Sequence, residues 1–129
     1  MKLTGKYLIK LKDGRNEPIQ DLENAERIVL VDRGTVGAKG ITFAYCRFEA
    51  KTSYHKKHVH PQAEEVMYIV SGKGIGGVGD KEFEVVAGDT IWIPRGEVHW
   101  AHNPFDEPLE MIFIYTRPTL KSAGYEIVE

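Results

Sequence analysis

Residues 58–65 read His-Val-His-Pro-Gln-Ala-Glu-Glu and place imidazole and carboxylate side chains close together in the chain. Two histidines spaced i, i+2 on an extended strand point to the same side, so His58 and His60 share a face. Glu65 begins a second strand pattern, in which Glu65, Met67 and Ile69 share a face. Histidine is the commonest metal ligand in proteins. The stretch therefore predicts one side of a metal site built on β-strands.

A second cluster, residues 88–103, reads Gly-Asp-Thr-Ile-Trp-Ile-Pro-Arg-Gly-Glu-Val-His-Trp-Ala-His-Asn. His99 follows a Pro-x-Gly turn signal and lies on a predicted strand. It can join His58 and His60 only if the fold brings two strands together. Three imidazoles and one carboxylate suit Fe, Mn, Ni, Co or Zn, and a six-coordinate ion would keep two positions open. The sequence thus predicts a metal site of His58, His60, Glu65 and His99, which we favour over four metal-free surface or core residues.

Outside these clusters, apolar residues alternate with period two along most of the chain, whereas helical periodicity is scarce. Turn signals separate the alternating runs, which predicts an all-β antiparallel sandwich or barrel of eight or nine short strands. One helical turn is predicted at Ile19–Glu26. The predicted strands include Tyr7–Leu11, Arg27–Val31, Ile41–Phe48, Glu65–Val70, Phe83–Val86, Thr90–Ile93, Val98–His102 and Leu109–Tyr115.

Composition excludes several classes of function. The 129 residues predict one domain, and 17 basic against 19 acidic residues give a net charge of −2, which favours neither a nucleic-acid partner nor an anionic membrane surface. The single cysteine, Cys46, fits a reducing compartment. The N-terminal residues lack the apolar run of a signal peptide, and the longest aliphatic run, Ile28–Val31, is far too short to span a membrane. We therefore expect a cytoplasmic protein.

Residues 74–79, Gly-Ile-Gly-Gly-Val-Gly, match the G-x-G-x-x-G pattern of dinucleotide-binding proteins. That pattern needs a helix directly after it, and here a short strand and a turn follow. Glycine is common at turns and bulges, so the segment predicts a glycine-rich hairpin.

The two clusters together resemble the cupin superfamily, specifically its small single-domain conserved barrels. The first cupin motif, G-x5-H-x-H-x3,4-E-x6-G, is matched by His58, His60, Glu65 and Gly72. The second, G-x5-P-x-G-x2-H-x3-N, is met at every spacing by Gly88, Pro94, Gly96, His99 and Asn103. One departure is Thr52, which stands where the first motif begins with glycine.

The resemblance covers roughly residues 41–115 and implies a double-stranded β-helix, or jelly-roll-like barrel. We expect one cupin domain over residues 1–129 with a core barrel of about 27–117. Similar cupins commonly form dimers in which an N-terminal strand joins the partner's sheet, and Tyr7–Leu11 is the candidate strand. The resemblance implies one divalent transition metal ion (Fe, Mn, Ni or Zn) in the barrel.

Side chains in phase with the metal face define a candidate substrate pocket. Met67 shares the face of Glu65, and Arg47, if it points inward with Tyr45, would pair with a substrate carboxylate. Tyr115 completes this set. His55 and His102 are out of step with the ligand histidines, so we expect both at the solvent or an interface. Cys46 is expected to be a small buried hydrophobe.

The leading functional hypothesis is a metalloenzyme acting on a small organic acid or a phenolic or enolic compound, of dioxygenase, decarboxylase, isomerase or cyclase type. The partners expected are a small-molecule ligand and a second copy of the chain. The rival is a metal-dependent module that binds or senses a small molecule without catalysis, and a third reading is a purely structural barrel. The general acid or base stays open, with His102, Tyr115 and Tyr125 as weak candidates.

Overall fold

A computed structural model describes residues 7–19 and 22–129. Their strands form two antiparallel sheets, one of six strands in the order β1-β2-β3-β10-β5-β8 and one of five in the order β11-β4-β9-β6-β7. The strands are β1 Arg15–Asn16, β2 Ala25–Val31, β3 Thr42–Phe48, β4 Thr52–Val59, β5 Glu65–Ser71, β6 Lys73–Val78, β7 Lys81–Val86, β8 Thr90–Ile93, β9 His99–Asn103, β10 Leu109–Tyr115 and β11 Glu126–Ile127. The predicted all-β, jelly-roll-like barrel is confirmed.

Alternation along β3 and β10 builds the core. Every second residue of both strands is buried, and the strands pair antiparallel with Phe48 opposite Leu109 and Cys46 opposite Met111. Directly opposed residues share a sheet face, so the buried sets of the two strands form one apolar surface. That surface faces the interior, where Ile69 and Ile91 from neighbouring strands join the same cluster.

The glycine-rich segment is a hairpin, as predicted. β6 pairs with β7 in unbroken register, and Gly79 turns the chain with φ +65°. The indole of Trp100 lies directly over Gly77, at a position that a Cβ atom would occupy. The glycines therefore serve close packing within a sheet, and no helix follows them.

Two predictions near the N-terminus differ from the structure. Tyr7–Leu11 is not a strand. Leu11–Asp13 forms a 3-10 turn, and the first strand among the described residues is Arg15–Asn16. The side chain of Tyr7 is 87% exposed and does not pack into the core. Pairing of this segment with a partner subunit stays a prediction.

The predicted helical turn at Ile19–Glu26 is not found where the structure describes it. Positions 20 and 21 lie outside the described residues, and β2 already begins at Ala25, opposite Phe48. Short helices occur instead at α1 Arg33–Val36 and α2 Leu120–Ala123. Both begin with a reciprocal capping box, which satisfies the amide groups that the first turn leaves without partners. Neither is long or apolar enough to cross a membrane.

Candidate metal centre

Strands of both sheets bring the four predicted ligands together. His58 on β4 lies opposite His99 on β9, and His60 follows β4 directly. The candidate ligand atoms of these three histidines all lie within 4.8 Å of one another. Glu65 enters from β5 in the other sheet, with its Oε1 3.3 Å from His60 Nε2 and 3.1 Å from His99 Nε2. All four side chains are buried.

The backbone orients each imidazole. Nδ1 of His58 lies 2.7 Å from the Lys56 carbonyl oxygen, and Nδ1 of His99 lies 3.0 Å from the Glu97 carbonyl oxygen. Nδ1 of His60 lies 2.7 Å from the carbonyl oxygen of Gly124. A carbonyl oxygen only accepts, so in each contact Nδ1–H donates, and in the neutral ring Nε2 keeps its lone pair. Metal-binding histidines are commonly fixed in this way.

The electrostatics of the cluster favour a cation. Burial alone would raise the pKa of Glu65, but its contacts with His60 and His99 outweigh burial and lower that pKa to about 2. Burial lowers the pKa of His58 to about 3, with a further contribution from His99. His99 itself would lose basicity through burial, but the Glu65 carboxylate raises its pKa above the ordinary value. The buried cluster therefore offers a metal ion the negative charge of the Glu65 carboxylate and the lone pairs of imidazole nitrogens.

Buried polar atoms in this cluster lack aligned hydrogen bonds. His60 Nε2, His99 Nε2 and Glu65 Oε1 lie close together, yet none makes a hydrogen bond of acceptable geometry. Leaving such atoms unsatisfied costs about 1–3 kcal/mol each. A divalent ion would satisfy all of them at once, and three nitrogens with one oxygen form a donor set that transition metals accept. The residues present fit a metal ion.

Two adjoining cavities lead to the cluster. The inner cavity, of about 40 Å3, is bounded by ligand residues and by apolar side chains that include Met67, Met111 and Phe113. The outer cavity, of about 490 Å3, is lined by Glu17, Lys121 and Tyr125 among others, and we call it the vestibule. Both are lined by Ile19, Arg27 and His55, which therefore stand at the junction.

The structure separates the predicted pocket residues into two groups. Met67 and Tyr115 line the inner cavity. Tyr45 and Arg47 do not, because Cys46 between them takes the inward phase of β3 and turns both to the outer face. There Tyr45 Oη donates to Glu110 at 2.5 Å, and Arg47 pairs with Glu49 at 2.8 Å. The structure therefore places Tyr45 and Arg47 outside the inner cavity, whereas Cys46 is buried as expected.

His55 also differs from expectation, because it faces the site. The pairing of β4 with β9 shifts register on both sides of His55, which brings it to the same side as His58 three residues later. The two rings lie 4.5 Å apart, and burial lowers the pKa of His55 to about 4, with a further contribution from His99. Its Nε2 lies 3.4 Å from Tyr125 Oη. Strict strand alternation could not reveal this residue, since a β-bulge carries no reliable sequence signal.

Other residues of the second motif hold the backbone around the centre. The Asn103 amide donates to the carbonyl oxygens of Phe48, Glu49 and Glu107, and it accepts from the amide of Phe105. The amide of Gly96 donates to the His60 carbonyl oxygen at 3.1 Å, which ties the two motif segments together. His102 lies on β9 out of phase with His99 and does not line the inner cavity.

Comparison with known proteins agrees with this geometry. Residues 44–115 match the Cupin domain family. The chain is 38% identical over 80 residues to the uncharacterized protein MJ1618 of Methanocaldococcus jannaschii, an alignment that covers 62% of this chain and 61% of the relative. The chain thus spans less than two thirds of the length of this curated relative.

Solved structures show the same barrel. The polyketide cyclase RemF of Streptomyces resistomycificus superimposes with a TM-score of 0.76 at 20% identity, covering 94% of this chain and 84% of the cyclase. The oxalate decarboxylase of Bacillus subtilis, studied for its Mn(II) centres, superimposes with a TM-score of 0.69 at 28% identity, covering 80% of this chain and 28% of the decarboxylase. The match over residues 44–115, with its buried three-histidine cluster, shows that the chain belongs to the cupin domain family.

Proposed function

We propose that this protein is a metal-dependent enzyme acting on a small organic acid or a phenolic or enolic compound. One divalent transition metal ion would be held by His58, His60, Glu65 and His99. The convergence of these buried side chains, with the histidine ligand atoms within 4.8 Å of one another beside a cavity, carries the proposal. A closed structural site would not need the adjoining cavity.

A solved relative supports the metal and the size of the substrate. The Bacillus subtilis oxalate decarboxylase, at 28% identity, contains Mn(II) centres and takes its name from a small dicarboxylic acid. This chain spans 28% of that protein, so the activity of the whole relative is not carried over. The reaction type within the dioxygenase, decarboxylase, isomerase and cyclase group stays open.

The bound metal would supply Lewis acidity toward substrate oxygens. The residues of the chain itself would orient the metal ligands, exclude water from the inner cavity and supply a proton acceptor. Carbonyl contacts hold the ligand imidazoles in place before substrate arrives, and apolar side chains such as Met67 and Phe113 limit water in the inner cavity. His55, whose pKa is lowered to about 4, is neutral near pH 7 and is the candidate proton acceptor, with its Nε2 lying 3.4 Å from Tyr125 Oη.

A non-catalytic binding module is the second candidate. The observation that favours it is the size of the inner cavity, since about 40 Å3 holds little more than one water molecule. A ligand could then be held at the vestibule and the metal without being transformed.

Metal content tests the proposal first. Protein purified without an affinity tag should contain about one transition metal per chain by elemental analysis, after reconstitution if needed. The substitutions His58→Ala, His60→Ala and His99→Ala should each remove most of it, whereas His55→Ala and the control His102→Ala should retain it. An unmutated protein that takes up no metal, or equal loss from His55→Ala, would contradict the ligand assignment.

Turnover then separates the two functions. The metal-loaded protein is incubated with small organic acids and phenols, with and without oxygen, and products are followed by NMR. Conversion that is lost in His60→Ala supports the enzyme. Saturable binding with every compound unchanged supports the binding module.

A further inference from the structure

Arg27 is a cationic side chain at the junction of the inner cavity and the vestibule. Its β2 position lies opposite Cys46 of β3, a residue that is 2% exposed and faces the interior. Directly opposed residues of paired strands share a face, so Arg27 is turned inward as well. Its side chain is only 12% exposed. A charge in such a position needs a partner, because burying it alone is costly.

The guanidinium group is only partly satisfied. Its Nε donates to the Glu17 carbonyl oxygen at 3.1 Å, and one terminal nitrogen, Nη2, contacts the Pro18 carbonyl oxygen at 3.2 Å and Glu17 Oε1 at 3.4 Å. Within residues 7–19 and 22–129, the other terminal nitrogen, Nη1, has no hydrogen-bond or ion-pair partner. These contacts use the Nε and Nη2 edge of the guanidinium group and leave the N–H donors of Nη1 for another partner.

The charges around Arg27 favour an anion. Among the described residues that line the vestibule, Glu17 is the only carboxylate, and Arg27 and Lys121 are both cationic. Of the inner-cavity residues within the described part of the chain, Glu65 alone carries a carboxylate, and the metal would engage it. A divalent ion, Glu65 and Arg27 together leave a net positive charge in the site.

We propose that Arg27 recognises a carboxylate group of the substrate, and that the substrate is therefore an organic acid rather than a neutral phenol or enol. This inference rests on the proposed function. The planar fork of arginine matches a carboxylate, which it holds at the junction. The inner cavity, of about 40 Å3, admits only a small oxygen-bearing end, and any larger part of the acid lies in the vestibule. Arg27 thereby takes the role that the sequence had suggested for Arg47.

A matched pair of probes tests this assignment. Glycolate and its neutral amide, glycolamide, have the same size and the same hydroxyl group and differ in charge. Each is titrated into the Co(II)-loaded protein, with binding followed by calorimetry and by the visible spectrum of the metal. The variants are Arg27→Gln, Arg27→Lys and, as a control, Arg47→Gln on the outer face. Metal content and thermal unfolding are recorded for every variant.

The unmutated protein and Arg47→Gln should bind glycolate about tenfold or more tightly than glycolamide, the preference expected for a charged hydrogen-bonded pair. Arg27→Gln should lose this preference while keeping its metal, and Arg27→Lys should retain only part of it. Equal binding of the two probes by the unmutated protein overturns the inference, as does unchanged preference in Arg27→Gln. If Arg27 had only a structural role, its substitution would weaken the binding of both probes alike, and that result would also overturn the inference.

Two further outcomes are distinguishable. If Arg27→Gln does not fold, Arg27→Lys decides, since it keeps the charge and loses the fork. If the protein takes up no metal, the proposed function fails, and the same titrations of metal-free protein decide the role of Arg27. A glycolate preference that disappears in the Arg27 variants would then support the inference, and no such dependence would overturn it.

Discussion

The imidazole Nδ1 of His60 lies 2.7 Å from the carbonyl oxygen of Gly124, which stands 64 residues later in the chain. Gly124 follows α2 and has φ +85°, a backbone conformation that residues with a side chain rarely adopt. A Cβ atom there would lie 2.7 Å from Cδ of Pro61, the neighbour of His60. The C-terminal segment thus positions a ligand of the candidate metal centre.

Gly124→Ala should therefore weaken metal binding as well as stability. Loss of a group that orients a metal ligand typically costs about 10–100-fold in affinity, and we expect the lower end of that range because the carbonyl is displaced and not removed. The metal dissociation constant is measured by competition with a chelator. Gly37→Ala is the matched control, because Gly37 also has positive φ, ends α1, and has no atom within 4 Å of an added Cβ. Equal metal affinity in the two variants would contradict the role of Gly124.

Neutral His55 makes the stability of the metal-free protein depend on pH. Its pKa is about 4 in the folded chain and about 6.5 when unfolded, so the unfolded chain binds the extra proton between these values. Stability should consequently fall as pH drops from about 6.5 toward 4. In His55→Gln the decrease in the free energy of unfolding between pH 7 and pH 5 should be smaller by about 1–2 kcal/mol than in the unmutated protein.

Denaturant unfolding in the presence of a chelator measures this loss. His58 acts with the same sign, since its pKa is lowered to about 3, and it keeps part of the pH dependence in the variant. Arg47→Gln is the control, because arginine stays charged over this range and the residue lies on the outer face. An unchanged loss in His55→Gln would show that His55 is not buried in the neutral form.

Metal binding should release protons near neutral pH. The Glu65 carboxylate raises the pKa of His99, so part of the metal-free protein carries a proton on His99 that the ion must displace. Apparent affinity should thus rise with pH until the pKa of His99 is passed. Calorimetry at pH 7 in buffers of different ionisation enthalpy counts the released protons, and binding without release would contradict the assignment.

Loading the metal should also raise stability by mass action. At a free metal concentration 100 times the dissociation constant, the gain is about 2.7 kcal/mol. His60→Ala, measured at the same metal concentration by thermal unfolding, should show little of this gain. A similar shift in both proteins would place the stabilising ion elsewhere.

The contact between Gly77 and Trp100 predicts an effect on stability. A Cβ atom at Gly77 would overlap the indole ring, and Trp100 Nε1 donates to Glu82 at 2.7 Å. Gly77→Ala should destabilise the protein by about 1–3 kcal/mol in denaturant unfolding. Gly40→Ala is the matched control, since nothing lies within 4 Å of its added Cβ, and it should be neutral or slightly stabilising.

The sequence allowed the ligand cluster to be predicted because strand alternation and motif spacing act over a few residues. His58 and His60 share a face through the period of two, and Glu65 and His99 follow from the spacing of the motifs. The barrel follows from the same alternation, visible in β3 and β10. The alternation and the motif spacing can both be recognised without knowing which strands pair.

Features that depend on strand pairing escaped prediction. Arg27 faces the cavity because β2 pairs with β3 in a register that sets it opposite Cys46. His55 faces the site because register shifts in β4 interrupt the alternation. The direction of Arg47 could not be predicted because alternation along β3 allows either set of side chains to face the interior. The smaller, less polar side chain of Cys46 is the one that packs there. Short helices with four residues each, such as α2, carry too little periodicity to be recognised.

The candidate ligands come from both layers of the barrel, with His58 and His99 in the five-stranded sheet and Glu65 in the six-stranded sheet. An ion bound there would be a cross-link between layers that otherwise adhere through side-chain packing. Opening of either sheet would break coordination, so amide hydrogen exchange in β4, β9 and β5 should slow together when metal is added. The centre would couple the local fluctuations of two sheets into one cooperative unit.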